Sequence, residues 1–183
     1  MTSDQALAHV IDRLERGGVG YLLVGALSSN LYGVPRATDD ADVEVSFDGF
    51  DVVSFATGLG EEFRLDRQMM IEGFTGTVRY VLHHEPSGFT IELFRLGTDP
   101  HHEERFSRRR RLRVAECRSE AWVSTAEDVV IQKLRWARRK DLDDIVNLIA
   151  VSGDGLDWKY VDRWTNVHGT SGLLADLRAE AGH

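Results

Sequence analysis

The sequence has few of the residues that mark secreted, disordered or membrane-spanning chains. Its 183 residues include one cysteine, Cys117, so no disulfide can form within the chain. Only three residues are proline, 42% are hydrophobic and 28% are charged, which is the balance of a folded protein. No apolar run approaches the roughly 18 to 20 residues that cross a bilayer, and residues 1–10 lack the features of a signal peptide. These absences predict a folded cytoplasmic protein without a membrane partner.

The length allows one substantial core with an appended helical part. We predict a core domain over residues 1–118 and a helical C-terminal part over 119–183 that packs on it. The net charge of −8 by itself argues against a nucleic-acid partner, because binding phosphates requires Lys and Arg. Residues 101–140 nevertheless hold 12 of the 22 basic residues and only 6 acidic ones, so this segment could contact a polyanion.

Hydrophobic periodicity predicts an α/β (α+β) fold: a mixed β-sheet with flanking helices and a helical C-terminal tail. Ser3 and Asp4 are expected to cap a first helix, and further helices are expected at residues 26–32 and 50–59. Strands are expected at residues 21–24, 42–47, 63–66, 78–83, 89–96 and 112–115. From the capping sequence at residues 124–127 onward, the pattern is helical.

Asp40 and Asp42 are two residues apart at the start of a predicted strand, so their side chains point to the same side. Two carboxylates in one small volume repel each other unless a cation lies between them, and Mg²⁺ or Mn²⁺ prefers such oxygen ligands. This spacing predicts a metal site. The alternative is that the pair serves only as a turn and cap.

Glu92 lies in an otherwise apolar strand, where alternation buries Ile91 and Leu93 and leaves Glu92 on the other face. If this strand neighbours that of Asp42, a third carboxylate joins the pair. Three carboxylates suffice for two metal ions about 3.5 to 4 Å apart that act on a phosphate. A solvated edge position is the alternative for Glu92.

Gly25 and Ala26 follow a predicted strand and open a helix, which offers free backbone N–H groups to an anion. A phosphate site would then lie beside the metal site.

Residues 24–26 and 33–42 together resemble the strand, glycine turn and R-x-T-x-D-x-D motif of the nucleotidyltransferase superfamily related to DNA polymerase β. Within it, the small bacterial proteins grouped with the AbiEii-type toxins are the most similar. The resemblance implies that Asp40, Asp42 and Glu92 are catalytic and hold two Mg²⁺ or Mn²⁺ ions. The nucleotide-binding residues that it implies are Gly25, Ala26, Ser28, Arg36, Thr38, Lys133 and Asp141.

Several of these assignments have alternatives. Many active members carry Ser or Gly after the first glycine of the turn, whereas this chain has Ala26 and offers a hydroxyl only from Ser28 onward. Arg36 and Thr38 could form only a surface charge and a turn hydrogen bond. Residues 133–144 resemble the family's lysine and aspartate segment, but an exposed helix with intrahelical ion pairs would give the same pattern.

The resemblance implies transfer of an NMP from an NTP to an acceptor hydroxyl, with tRNA as acceptor and a cognate antitoxin as partner. Arg108, Arg109, Arg110 and Arg111, with Arg105 and Arg113, would contact the RNA backbone, although a solvated strand or an acidic partner explains them equally. Transfer to an aminoglycoside-type small molecule, transfer to a protein hydroxyl and an inactive binding module are the alternatives. The histidine pairs at residues 83–84 and 101–102 are expected on the surface.

Overall fold

A computed structural model describes residues 1–71, 77–117 and 119–183, with residue 67 described by its backbone alone. The helices are α1 (Ser3–Arg16), α2 (Gly25–Ser29), α3 (Val52–Thr57), α4 (Pro100–Arg108), α5 (Ala126–Trp136), α6 (Arg139–Ser152), α7 (Trp158–His168) and α8 (Ser171–Glu180), with a 3₁₀ turn at Gly153–Gly155. The strands are β1 (Tyr21–Val24), β2 (Asp40–Val45), β3 (Phe63–Ile71), β4 (Val78–His84), β5 (Phe89–Arg95), β6 (Arg110–Val114) and β7 (Ser119–Val123).

The described strands form one mixed sheet in the order β3-β4-β5-β2-β1-β7-β6. The central strand β2 runs antiparallel to β1 and parallel to β5. Strand β1 in turn pairs with β7 in parallel, and the outer strands pair as antiparallel hairpins. The predicted mixed sheet is therefore confirmed, with its first two strands and β5 at its centre.

The two faces of the sheet differ in composition because side chains alternate along each strand. Ala41, Val43 and Val45 of β2 point to one face, where Ile91 and Leu93 of β5 join them, and all five are fully buried. Helices α1 and α3 cover this face and complete the main hydrophobic core. The other face receives the alternate residues of β2 and β5, which include the acidic ones.

Helices α5 to α8 form a second hydrophobic cluster, which confirms the predicted helical tail. Helix α5 contacts both α6 and the short helix α2, so the tail lies against the beginning of the chain. The predicted boundary after residue 118 falls outside the described residues, and the division into two parts stays a prediction. Strand β7, which was not predicted from the sequence, inserts between β1 and β6 in the sheet.

Several predicted boundaries are shifted. The cap of α1 is Thr2, not Ser3 or Asp4: its hydroxyl accepts from the Gln5 N–H while the Gln5 side chain accepts from the Thr2 N–H. The helix expected over 26–32 spans only Gly25–Ser29, and that expected over 50–59 spans Val52–Thr57. Strand β2 begins at Asp40 and not at residue 42, which places both aspartates of the motif inside the strand.

The prediction of surface histidines is wrong for three of the four residues. His84 is fully buried and packs against Phe63, while His101 and His102 are buried in α4, a helix that was not predicted. The His101 ring packs on Trp164 of α7 with 4.6 Å between ring centroids. Adjacent histidines on a helix point in different directions, and here both directions face protein.

Among the described residues, no helix combines the length and the apolar character that a membrane crossing requires.

Candidate active site

The Gly25 turn and the Asp42 carboxylate are in direct contact. The antiparallel register of β1 and β2 places Val24 opposite Asp42, so the residue after β1 meets the Asp42 side chain. Gly25 has a φ of +63°, and a Cβ atom there would lie 1.9 Å from Asp42 Oδ2. Only glycine allows this approach, since any side chain would displace the carboxylate. Val24 gives no side-chain cap to α2, so the first turn of that helix keeps its N–H groups available for an anion.

The surroundings of Asp42 favour the neutral form of its carboxyl group. Burial, together with the nearby charges of Asp40 and Glu92, raises the pKa of Asp42 to about 7. Arg138 and Lys140 oppose the increase. Strand register explains the proximity, because Asp42 pairs directly with Glu92 on the parallel strand β5. The sheet thus collects negative charge at one point of its open face, which is an arrangement that a bound cation would stabilise.

Asp40 is held by the loop before it. Thr38 Oγ1 donates to Asp40 Oδ1 at 2.6 Å, so the threonine of the motif orients the first aspartate. Asn30 fixes the same loop, since its amide nitrogen donates to the Arg36 carbonyl at 2.8 Å and its amide oxygen accepts from the Arg36 N–H at 3.1 Å. The loop between α2 and β2 therefore has a defined conformation ahead of the carboxylates.

Glu92 is engaged by an arginine that the sequence analysis did not identify. Arg79 of β4 donates from Nη1 to Glu92 Oε2 at 2.6 Å. The side chains of Arg79 and Glu92 are 29% and 19% exposed, so the pair lies at the partly open face of the sheet. The alternation of β4 could have suggested an inward Arg79, but its position beside Glu92 depends on the register of β4 and β5.

The carboxylates of Asp40, Asp42 and Glu92 are the candidate ligands for a divalent metal ion. Across the described residues, no three His, Cys, Asp or Glu side chains converge closely enough to hold a metal ion as they stand. The oxygen donors are nevertheless of the type that Mg²⁺ and Mn²⁺ prefer, and Asp42 lies beside Glu92 in the register. Thr38 and Arg79 hold the two outer carboxylates. The residues fit such an ion in chemistry, and Asp40 and Glu92 would have to turn toward Asp42 to complete its ligands.

Arg36, Lys133 and Asp141 come together in a buried charge network around Asp144. Arg36 donates twice to Asp144, from Nε at 2.9 Å and from Nη2 at 3.0 Å. Lys133 Nζ lies 2.7 Å from Asp144 Oδ2 and 3.3 Å from Asp141 Oδ1. Asp141 is fully buried and also accepts from Arg138. The expected lysine and aspartate are thus near the site, but they bind each other and join α5 and α6 to the loop that carries the motif.

The alternative for residues 133–144, an exposed helix with intrahelical ion pairs, is wrong in part. Arg139 and Asp143 do form an exposed intrahelical pair at 3.9 Å. Lys133 of α5 and Asp144 of α6, however, are 4% and 8% exposed and lie on different helices. Hydrogen bonds from Arg36 and Lys133 hold the pKa of Asp144 below its usual value although burial acts in the opposite direction. Asp144 therefore stays ionised between two cations.

The hydroxyl groups near the turn point into the protein. Ser28 is fully buried and donates to the Leu23 carbonyl at 2.6 Å, and Ser29 donates to the Ala26 carbonyl at 3.0 Å. A phosphate contact from Ser28 is thus not available in this conformation. Ala26 is 8% exposed and has no side-chain donor, so the backbone N–H groups are the donors that the turn offers.

The arginine run is largely occupied by protein partners. Arg108 stacks 3.8 Å from the centroid of Tyr160, and Arg109 stacks at the same distance on Phe106. Arg111 pairs with Glu15 at 3.0 Å. Arg110 lies exposed on β6. The run is therefore not an unbroken solvated basic strand, and β6 is the sheet edge separated from β2 by two strands.

Arg105 and Glu44 form a buried pair behind the site. Glu44 follows Asp42 on the same face of β2, and Arg105 of α4 donates to its carboxylate. Arg105 is 1% exposed, so the expectation that it contacts RNA is wrong. The two side chains line a narrow cavity together with Gly25, Lys133 and Trp136. The D-x-D-x-E alternation of β2 indicated an inward Glu44, but nothing in the sequence identified its partner.

Comparison with known proteins supports the fold. No protein-family model matches the sequence, and the search of curated proteins gives no significant match. The solution structure of the antibiotic-resistance factor ANT(2'')-Ia aligns over 100% of both chains with a TM-score of 0.57 and 12% identity. Its crystal structure in complex with adenylyl-2''-tobramycin aligns over 92% of this chain and 97% of that chain, with a TM-score of 0.58 and 12% identity.

A third structure, of JHP933 from Helicobacter pylori, aligns over 81% of this chain and 64% of that chain with a TM-score of 0.49 and 15% identity. The structural comparison rests on the two ANT(2'')-Ia structures, because they align over 92% or more of this chain. The chain shares the fold of ANT(2'')-Ia.

Proposed function

We propose that this protein is a metal-dependent nucleotidyltransferase that moves an NMP from an NTP to an acceptor hydroxyl. The observation that carries the proposal is the contact of the Gly25 turn with Asp42, beside Asp40 and Glu92 on one sheet face. A triphosphate and a carboxylate cluster would repel each other in this arrangement unless divalent cations lay between them. The fold shared with ANT(2'')-Ia agrees with this chemistry.

Each group of residues in the site would have a separate role. The backbone N–H groups of Gly25 and Ala26 would bind the triphosphate, because the first turn of α2 lacks a side-chain cap. Asp40, Asp42 and Glu92 would hold two Mg²⁺ or Mn²⁺ ions, which polarise the phosphate and make the acceptor hydroxyl more acidic. Thr38 would keep Asp40 oriented toward this site.

Arg36, Lys133 and Asp141 would act on the nucleotide mainly through position. Their mutual ion pairs hold α5 and α6 against the motif loop, and Lys133 lines the same cavity as Gly25.

For the acceptor, a small hydroxyl compound is better supported than tRNA. Three of the four arginines of residues 108–111 have aromatic or acidic partners within the chain, which weakens the case for an RNA-binding strip. The chain also matches ANT(2'')-Ia along its whole length, and that protein was solved with adenylyl-2''-tobramycin. Transfer to tRNA, and with it a toxin role restrained by an antitoxin, is the second candidate, supported by exposed Arg110 and Arg113 on β6.

The test is a transfer assay with each labelled NTP, Mg²⁺ or Mn²⁺, and one acceptor at a time: an aminoglycoside panel, total tRNA, or the protein alone. We expect labelled product with at least one acceptor, and loss of product in Asp42→Asn. The matched control is Asp39→Asn, which removes an exposed carboxylate three residues from Asp42 and should keep activity. No transfer to any acceptor would refute the enzyme proposal, and full activity of Asp42→Asn would refute the metal assignment.

A further inference from the structure

We propose that Arg79 is a positioning residue that binds Glu92 in the metal-free protein and competes with the divalent cation for this carboxylate. The inference rests on the proposed metal site, and it concerns the side chain that keeps that site incomplete.

The strands that carry Asp42 and Glu92 are adjacent, but the side chains do not form a metal site as they stand. The register places Glu92 directly beside Asp42, as a shared metal site would require. Nevertheless, no three potential ligands converge within the described part of the chain. The side chain of Glu92 instead forms an ion pair with Arg79.

The contact responsible for Glu92 is the ion pair with Arg79. In the register of β4 and β5, Val81 lies opposite Glu92 and Arg79 lies opposite Phe94, so Arg79 is the diagonal neighbour of Glu92 on the same face. A long side chain spans this diagonal easily, and Arg79 Nη1 lies 2.6 Å from Glu92 Oε2. Among the described residues, Arg79 Nε is buried without a hydrogen-bond partner and Nη2 donates only weakly to Met70 Sδ at 3.9 Å, so Glu92 is the strongest contact of the guanidinium.

Charge explains why this pair would respond to a metal ion. The positive charges that act on Asp42 include those of Arg138 and Lys140. A divalent cation at Asp42 would attract the neighbouring Glu92 more strongly than a monovalent guanidinium does. Metal binding would then draw Glu92 away from Arg79, and the work of breaking the ion pair would lower the affinity for the metal.

The experiment measures Mn²⁺ binding to nucleotide-free protein by titration calorimetry or electron paramagnetic resonance. Arg79→Gln should bind Mn²⁺ about threefold to fivefold more tightly than the wild type at low salt, the upper part of the range for a partly exposed ion pair. Arg79→Lys, which keeps the charge but loses the fork geometry, should lie between the two. The control is Arg64→Gln, which removes the same charge from strand β3, where Arg64 pairs with Glu85 at 2.7 Å. That variant should bind within twofold of the wild type.

A second measurement uses the wild-type protein, with Asp42→Asn as its control. The side-chain Nε–H signal of Arg79 in a nitrogen-proton NMR spectrum should shift when Mg²⁺ is added. It should not shift in Asp42→Asn, where the ion that would attract Glu92 has lost a ligand.

The outcomes separate the two proposals. Equal affinity of Arg79→Gln and wild type, or an equal gain in Arg64→Gln, would overturn the role of Arg79 and leave the proposed function intact. Metal binding that persists in Asp42→Asn would overturn the metal site itself. Absence of binding in both wild type and Arg79→Gln would overturn both.

Discussion

Asp144→Asn tests whether the buried charge network joins the C-terminal helices to the motif loop. Asp144 is 8% exposed and binds two cations, one of which, Lys133, is 4% exposed. Removing the charge leaves Lys133 to share Asp141 with Arg138. Breaking a buried pair by removing one partner costs about 3–5 kcal/mol, and the partial exposure of Arg36 favours the lower end. We expect a loss of ~3 kcal/mol.

The assay is thermal and urea unfolding of wild type and variant side by side. For a chain of this size, 1 kcal/mol corresponds to a shift of about 2–4 °C, so the Tm should fall by roughly 6–12 °C. The matched control is Asp143→Asn on the same helix, because Asp143 is 63% exposed and its partner Arg139 is 3.9 Å away. That variant should stay within about 0.5 kcal/mol of the wild type.

The pH dependence gives a second signature of the same contact. The folded-state pKa of Asp144 lies below its unfolded value, so the stabilisation is fully present above about pH 4 and is lost as the pH falls through the folded pKa. The difference between wild type and Asp144→Asn should therefore be constant above about pH 5 and shrink in acid. Adding Lys133→Met to Asp144→Asn should recover part of the loss, because the unpaired ammonium is gone. Equal effects of Asp144→Asn and Asp143→Asn would refute the reasoning.

Further predictions concern the turn, the carboxylates and the loop. Gly25→Ala should destabilise the protein more than Gly88→Ala in urea unfolding: both have positive φ, but only at Gly25 does the new Cβ meet Asp42, and equal losses would contradict this. Because the pKa of Asp42 is raised to about 7 in the fold, metal-free stability should fall as the pH rises from about 4 to 7. Asp42→Asn should remove roughly 3 kcal/mol of this fall between pH 5 and 8, measured by denaturation in EDTA at these two pH values, and an unchanged slope would disprove it. Asn30→Ala should cost about 1–2 kcal/mol by freeing the backbone of Arg36, and no change in Tm would contradict that contact.

The sequence predicted the local elements that position the candidate site. Alternation along residues 40–45 and 89–95 is enough to put Asp40, Asp42 and Glu92 on the polar faces of their strands, because side-chain direction in a strand has a period of two. The glycine after β1 likewise marked a turn. The bounds of β1 were predicted correctly, whereas most other element bounds were shifted by one or more residues, since helix and strand ends depend on caps and pairing partners.

Partners distant in sequence could not be predicted in the same way. His101 and Arg105 look like surface residues in a polar segment, yet α4 packs them against Trp164 and Glu44. The arginines of residues 108–111 look like a polyanion-binding strip, but tertiary contacts supply aromatic and acidic partners to most of them. Burial of a charged side chain is decided by which oppositely charged group the fold brings to it, and local sequence does not carry that information.

The sequence by itself determined that the chain folds as a mixed α/β protein and that two aspartates share one strand face beside a glycine turn. Both conclusions follow from periodicity and from the freedom of glycine, which are properties of neighbouring residues. Only the tertiary structure decided that Glu92 lies beside Asp42, that Arg79 holds it, and that Lys133 is bound to Asp144. These contacts join residues 11 to 50 positions apart, and strand order and helix packing alone bring such residues together.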